Sequence, residues 1–335
     1  MKLVCLLVNF VKDVIDALIG RSWNKLVSLH FGAHRGDNDL DLYIRDFVIE
    51  ASPNVSLSVS DPIIEGYVHR HTFSDRSICK LRDATFDTSS GNVYLGKMLV
   101  RESNSFTSNQ LVRKSAEVVE HHDLPIIGVP FQTHYHWLIE TLPRIISASQ
   151  YEPTATLIAS NRTKPKQREA LGELGHNVLY SDARHHGDNL ILPTRGDDTG
   201  WAHPQDLEIL RKTYNVPATG GFRPVFITRV GSRRSDLLSQ AIQDFAESMG
   251  WTVVQSENLA WQDALKVFGE ASIIASEHGA GLANIALAPL GTRLIELQRS
   301  SYPNPCFSAL SQSLNGSDSS YSLFPIDDYK RALIL

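Results

Sequence analysis

The sequence predicts an α/β protein: two tandem strand–helix units facing a cleft, preceded by a β-rich leading segment. Short apolar runs alternate with helical periodicity from about residue 126 onward, the pattern of βαβ units and a parallel sheet. That alternation breaks once, at residues 199–221, where glycines and prolines flank a lone helical stretch, and then resumes. The length of 335 residues accommodates roughly two domains.

The elements follow in order. Residues 11–18 read as an amphipathic helix within a leading 1–20 segment. It packs on the body or rests on a membrane surface, and packing is the reading taken. Residues 40–115 carry strand-like stretches such as residues 42–49, Asn92-Val-Tyr-Leu and Lys97-Met-Leu-Val. Turn signals at Ala51-Ser-Pro-Asn and Ser89-Ser-Gly-Asn separate them, which suggests partly antiparallel pairing. Ile126-Ile-Gly-Val opens the first α/β series. A helix from Tyr135 follows, kinked at Pro143. Then come a strand at 155–159, a helix at 167–174 ending at Gly175, and strands at 177–180 and 189–192. A helix at 204–214 marks the domain boundary. The second series has strands at 224–228, 252–254, 271–276 and 292–297, with helices at 237–249, 261–268 and 281–287.

Composition narrows the function. Lys plus Arg total 32 against 37 Asp plus Glu, a net charge of −5, which argues against a nucleic-acid binder. Three cysteines, Cys5, Cys79 and Cys306, at wide spacing give neither a disulfide framework nor a CxxC zinc site and read as inert thiols in a reducing compartment. No apolar run reaches the ~18 residues of a membrane span. Sequons at Asn54, Asn161 and Asn315 keep a secretory origin open.

Three segments carry chemistry. In Ser272-Ile-Ile-Ala-Ser-Glu-His-Gly-Ala-Gly-Leu-Ala-Asn284 a buried strand enters a small-residue turn that opens a helix. Free amides there suit a phosphate, Gly279 and Gly281 allow close approach, and Glu277 and His278 stand at the mouth. Glu296, near the end of the next strand, is placed to accept ribose hydroxyls. The same stretch is G-x-G-x-x-N, close to a dinucleotide fingerprint, so a dehydrogenase remains a minor alternative. In Ile227-Thr-Arg-Val-Gly-Ser-Arg-Arg-Ser, Arg229, Arg233 and Arg234 cluster at a strand end, a shape suited to a diphosphate. In His134-Tyr-His-Trp-Leu-Ile-Glu-Thr-Leu-Pro-Arg144, His136, Glu140 and Arg144 recur every four residues on one helical face. A His–Glu pair one turn apart can fix the tautomer of a general base, either His136 oriented by Glu140 or the reverse. His134-x-His136 lacks a third ligand, so no metal is expected. The pairs His121–His122 and His185–His186 read as surface positions.

Together, in this order, these segments resemble glycosyltransferase family 61. The family includes bacterial capsular polysaccharide enzymes, plant xylan xylosyl- and arabinosyltransferases, and animal EGF-domain and dystroglycan N-acetylglucosaminyltransferases. Its HWLxExLPR segment is matched by His136-Trp-Leu-Ile-Glu-Thr-Leu-Pro-Arg144, its strand-end arginine by Arg229, Arg233 and Arg234, and its HGAGLxN loop by His278, Gly279, Ala280, Gly281, Leu282 and Asn284. Glu296 matches its downstream glutamate. Leu237-Leu-Ser-Gln stands where the family often carries Asn-Glu.

The resemblance implies a GT-B fold of two Rossmann-like domains. Residues 1–200 would form the acceptor side, with His134, Trp137 and Arg144 facing the acceptor. Residues 201–320 would bind the nucleotide sugar, and a 321–335 tail would pack back on the first domain. It implies inverting transfer from a nucleotide sugar, a UDP-sugar, to a glycan hydroxyl in polysaccharide biosynthesis, without cofactor or obligatory metal. The compartment would be the cytoplasm, peripheral at the inner membrane, or alternatively the secretory lumen. A catalytically inactive nucleotide-binding scaffold is the further alternative.

Overall fold

The computed structural model describes residues 44–50, 56–60, 68–73, 76–95, 98–100, 117–194, 200–232, 235, 237–299, 304–316 and 320–334. The 1–20 helix, Arg233 and Arg234 lie outside these. In chain order the strands are β1 (Ile44–Glu50), β2 (Ser56–Ser60), β3 (Val68–Thr72), β4 (Arg76–Leu81), β5 (Ala84–Asp87), β6 (Asn92–Leu95), β7 (Met98–Val100), β8 (Val118–His121) and β9 (Ile126–Val129). They continue with β10 (Thr156–Ser160), β11 (Val178–Ser181), β12 (Arg184–Gly187), β13 (Leu190–Pro193), β14 (Arg223–Ile227), β15 (Thr252–Val254), β16 (Ala271–Glu277), β17 (Arg293–Gln298) and β18 (Tyr321–Pro325).

These make the mixed α/β architecture that the alternation implies. The first large sheet runs β1-β4-β13-β9-β10-β11. Its β13, β9, β10 and β11 are parallel, and β4 joins β13 antiparallel. Strands β9, β10 and β13 are apolar and buried on both faces, as parallel strands covered on each side must be. On one face lies the sheet β7-β6-β5-β12-β8. Phe86 and Val93 from it pack with Ile126, Ile158 and Leu190. Gly128 supplies the space: a Cβ there would enter the Phe86 ring. The leading strands do pair antiparallel, β5 with β6 and β6 with β7.

The third sheet, β15-β14-β16-β17-β18, is parallel throughout. Helices Leu237–Ser248 and Trp261–Gly269 accompany it. One core cluster joins this sheet to the first, with Leu138, Leu142 and Leu157 in the same cluster as Val225, Trp261, Ile274 and Leu282. The boundary helix Pro204–Thr213 is pinned at both ends of this core. Just past it, the Tyr214 hydroxyl donates to the Ala170 carbonyl at 2.9 Å, and Arg211 donates to the Ala286 carbonyl at 3.2 Å. Buried Arg76 on β4 pairs with Asp206 of that helix and donates to Ser147 Oγ at 3.0 Å.

Two expectations are corrected. Residues 321–334 do not return to the first domain: β18 extends the third sheet beside β17. The Trp251 indole donates to the Leu333 carbonyl at 3.0 Å, and Leu333 joins the apolar cluster on that sheet. His121 ends β8, with exposed His122 just past it, and His185 and His186 lie on β12, where alternation sends His185 inward. His185 is 0 % exposed, and its Nδ1 lies 2.8 Å from His121 Nε2. Burial and the neighbouring His121 pull the His185 pKa down to about 4.

Among the described residues no helix is long and apolar enough to cross a membrane.

Candidate active site

The carboxyl ends of β14 and β16 open onto a cavity of about 1400 Å³ whose opposite wall carries His134, His136 and the start of helix Pro165–Gly172. The first wall begins with an α-helical turn, His134–His136, which widens into a π-helical turn, Trp137–Thr141, before the helix Leu142–Tyr151. Pro143 sits in the first turn of that helix. Its ring lacks an N–H and crowds the preceding carbonyls, and the wide turn absorbs the misfit without breaking the helix.

The widened turn brings His136 Nδ1 to 2.8 Å from Glu140 Oε1. The same oxygen accepts the Gly200 amide at 2.8 Å. Burial alone would raise the Glu140 carboxyl. The His136 hydrogen bond and charge, the Gly200 amide and the Arg144 guanidinium outweigh it and hold the group below its ordinary value. Glu140 is therefore an ionised orienter and a poor base, whereas His136 lines the cavity. Arg144 is buried, and its Nε donates to the Glu140 carbonyl at 2.6 Å, which places it behind the dyad. Trp137 is also turned away, its ring edge-on to Trp261 with centroids 6.1 Å apart. Neither Arg144 nor Trp137 lines the cavity.

His134 reaches across to the other sheet. Asn284 Nδ2 donates to the Gly281 carbonyl at 2.7 Å, leaving its Oδ1 to accept from His134 Nε2 at 3.2 Å. Burial first, and the Lys166 ammonium second, push the His134 pKa down to about 3. The ring is neutral at pH 7 and joins the two walls.

On the opposite wall the turn after β16 runs into a 3₁₀-helix, Ala280–Leu287, where an α-helix was expected. His278, Gly279, Ala280 and Gly281 line the cavity; Leu282 and Asn284 are buried beneath it. Arg229, just past β14, lines the cavity and donates to the His278 carbonyl. Gly279 makes room for it, since a Cβ there would stand 2.6 Å from Arg229 Nη1. A Cβ on Gly281 would meet Ile227 Cγ2 at 3.0 Å, so this glycine serves internal packing as well as ligand approach.

Glu296 does not face the cavity mouth. It is 0 % exposed; one oxygen pairs with His278 Nδ1 and the other accepts the Tyr321 hydroxyl at 2.6 Å. The carboxylate expected on a ribose instead orients His278. Glu277 is buried too, and burial raises its carboxyl, against the Ser239 hydrogen bond and the Arg229 charge. The His278 ring is also held edge-on by Phe307, centroids 5.3 Å apart, and the far edge of Phe307 meets Tyr135 at 5.6 Å.

Residues not singled out from sequence also line the cavity, including Lys166, Trp201, Ser256 and Cys306. Trp201 is stacked on His71 with centroids 4.5 Å apart. Burial pushes the Cys306 thiol far up, so it is no nucleophile. Among the described residues no group of three or more His, Cys, Asp or Glu is placed to hold a metal ion.

No curated protein matches the chain. A family model described as Glycosyltransferase 61 matches residues 134–295. That span begins at the first histidine of one wall and takes in Arg229 and the whole 278–284 turn of the other. Most of the residues that wall the cavity fall inside that span, and residues 134–295 carry a glycosyltransferase family 61 domain.

Proposed function

We propose that this glycosyltransferase moves a sugar from a nucleotide-sugar donor, a UDP-sugar, to a hydroxyl of a glycan acceptor with inversion, in polysaccharide biosynthesis. One observation carries the reading. A single cavity is walled on one side by His136 paired with the Glu140 carboxylate and on the other by Arg229, His278 and the start of a 3₁₀-helix. In this reading the first and third sheets are the two halves of a GT-B arrangement. The acceptor lies on the 1–200 side and the donor on the 201–320 side, which β18 extends. The enzyme works in the cytoplasm.

The chemistry follows from the two walls. Glu140 holds the proton of His136 on Nδ1, so Nε2 takes the proton of the acceptor hydroxyl as that oxygen attacks the anomeric carbon. The bond from that carbon to the diphosphate breaks, and its electron pair leaves with the phosphate. Arg229, imidazole donation from His278 and the turn amides stabilise the charge that develops there. Arginines and dipoles do this without an obligatory metal, so the assay is run in EDTA.

His136→Ala is expected to lower turnover about 10²–10⁴-fold, the loss typical of a general base. UDP affinity by calorimetry should stay unchanged. Turnover above about a tenth of wild type, far outside that range, would make the dyad an acceptor-positioning device instead. Complete loss in EDTA, restored by manganese, would overturn the metal-free leaving-group chemistry.

A further inference from the structure

Lys166 sits two residues into helix Pro165–Gly172, on the wall opposite Arg229, and lines the cavity while only 8 % exposed. A buried ammonium normally gains a carboxylate, because its three donors and its charge are costly to strip of water. This one has none: among the described residues its only hydrogen bond is to the Ser256 carbonyl at 3.3 Å. The carboxylates of Glu169, on its own helix, and Glu257, on the facing Ser256–Asn258 turn, attract it from beyond contact. His134 beside it is neutral.

Its position decides what it waits for. Ser256, whose carbonyl holds the ammonium, also places its Oγ 3.2 Å from where a Cβ on Gly281 would be. Ser256 therefore stands between the ammonium and the turn that opens the 3₁₀-helix, and Lys166 and Arg229 line the same cavity as that turn.

We propose that Lys166, contributed by the opposite sheet, is the second cation of the diphosphate site, so that the donor's diphosphate bridges the two walls. This rests on the nucleotide-sugar reading above. It also explains an ammonium without a contacting carboxylate in a nearly closed position, since the missing contact is the ligand itself. Burial holds the Lys166 pKa at about 8, and Glu169 and Glu257 only partly restore it. A bound diphosphate raises it again. The Lys166 contribution to affinity is thus complete below pH 8 and declines, by up to tenfold per pH unit, above it.

The test is calorimetry of UDP, uridine and inorganic pyrophosphate with wild type, Lys166→Met, Lys166→Arg and Arg229→Ala, each checked for an unchanged melting transition. Lys166→Met is expected to weaken UDP and pyrophosphate about 10–100-fold, the worth of a charge-assisted contact, and leave uridine alone. Lys166→Arg should keep most of the affinity and abolish the decline above pH 8. If UDP binds wild type and Lys166→Met equally, the Lys166 assignment falls and the donor site stands. If Lys166→Met weakens uridine as much as UDP, the residue is a structural tie to Ser256 and the assignment again falls. If wild type binds none of the three probes, both readings fall.

Discussion

Gly279 is held free of a side chain by its neighbour and not by its dihedrals. Its φ of 171° and ψ of 164° are extended backbone that any residue adopts. What a methyl group meets is Arg229 Nη1, 2.6 Å away. A guanidinium is the far end of a flexible side chain, so Gly279→Ala folds and pushes it aside. The expected result is a fall in turnover of ~10-fold, less than the ~10²–10³ of deleting a transition-state donor outright. The same change made in Arg229→Ala should add nothing, because the two act through one group; steady-state rates of the four proteins check it. The strand-to-helix turn at Gly279 and the pairing of His136 with Glu140 were legible because both signals are local. The role of Glu296 was not. Every residue of β17 after Arg293 is buried, so position along the strand cannot say which way a carboxylate points. Its partner Tyr321 lies 25 residues on, with nothing nearby in sequence to connect them.

Strands buried on both faces were legible from their unbroken apolar runs, and β8 and β12 were not. The strand β8, with alternating exposed and half-buried residues, and β12, Arg-His-His-Gly, have no apolar signature. They are strands because of what they pair with. The contact between the first two sheets depends on one missing side chain. Gly128→Val drives a branched side chain into the Phe86 ring, and overpacking of this kind costs about 1–3 kcal/mol. Urea unfolding should show that loss, and removing the obstacle as well, in Gly128→Val with Phe86→Ala, should cost less than the two changes summed. Equal stability of Gly128→Val and wild type would mean that the sheets slide apart without penalty.

At the scale of the molecule, the sequence divides the chain into two strand–helix units. Its boundary helix, however, is hydrogen-bonded to both sides, and one apolar cluster runs through both. Contacts between residues a hundred positions apart leave no periodicity to read. Because the large apolar cluster spans both units, the described body should unfold in one transition. Urea curves followed by far-ultraviolet dichroism and by Tyr and Trp fluorescence are expected to coincide. Two resolved transitions would show that the units keep separate cores.

The Trp137–Trp261 contact has an optical consequence. Two indoles at nearly a right angle, 88° between planes and 6.1 Å between centroids, are close enough for their electronic transitions to couple and give a paired positive and negative band in circular dichroism. One ring belongs to the π-turn that holds the histidine dyad, the other to the first turn of a helix that accompanies the third sheet. The band pair is thus a built-in gauge of wall-to-wall spacing, readable without a label while a sugar donor is titrated in.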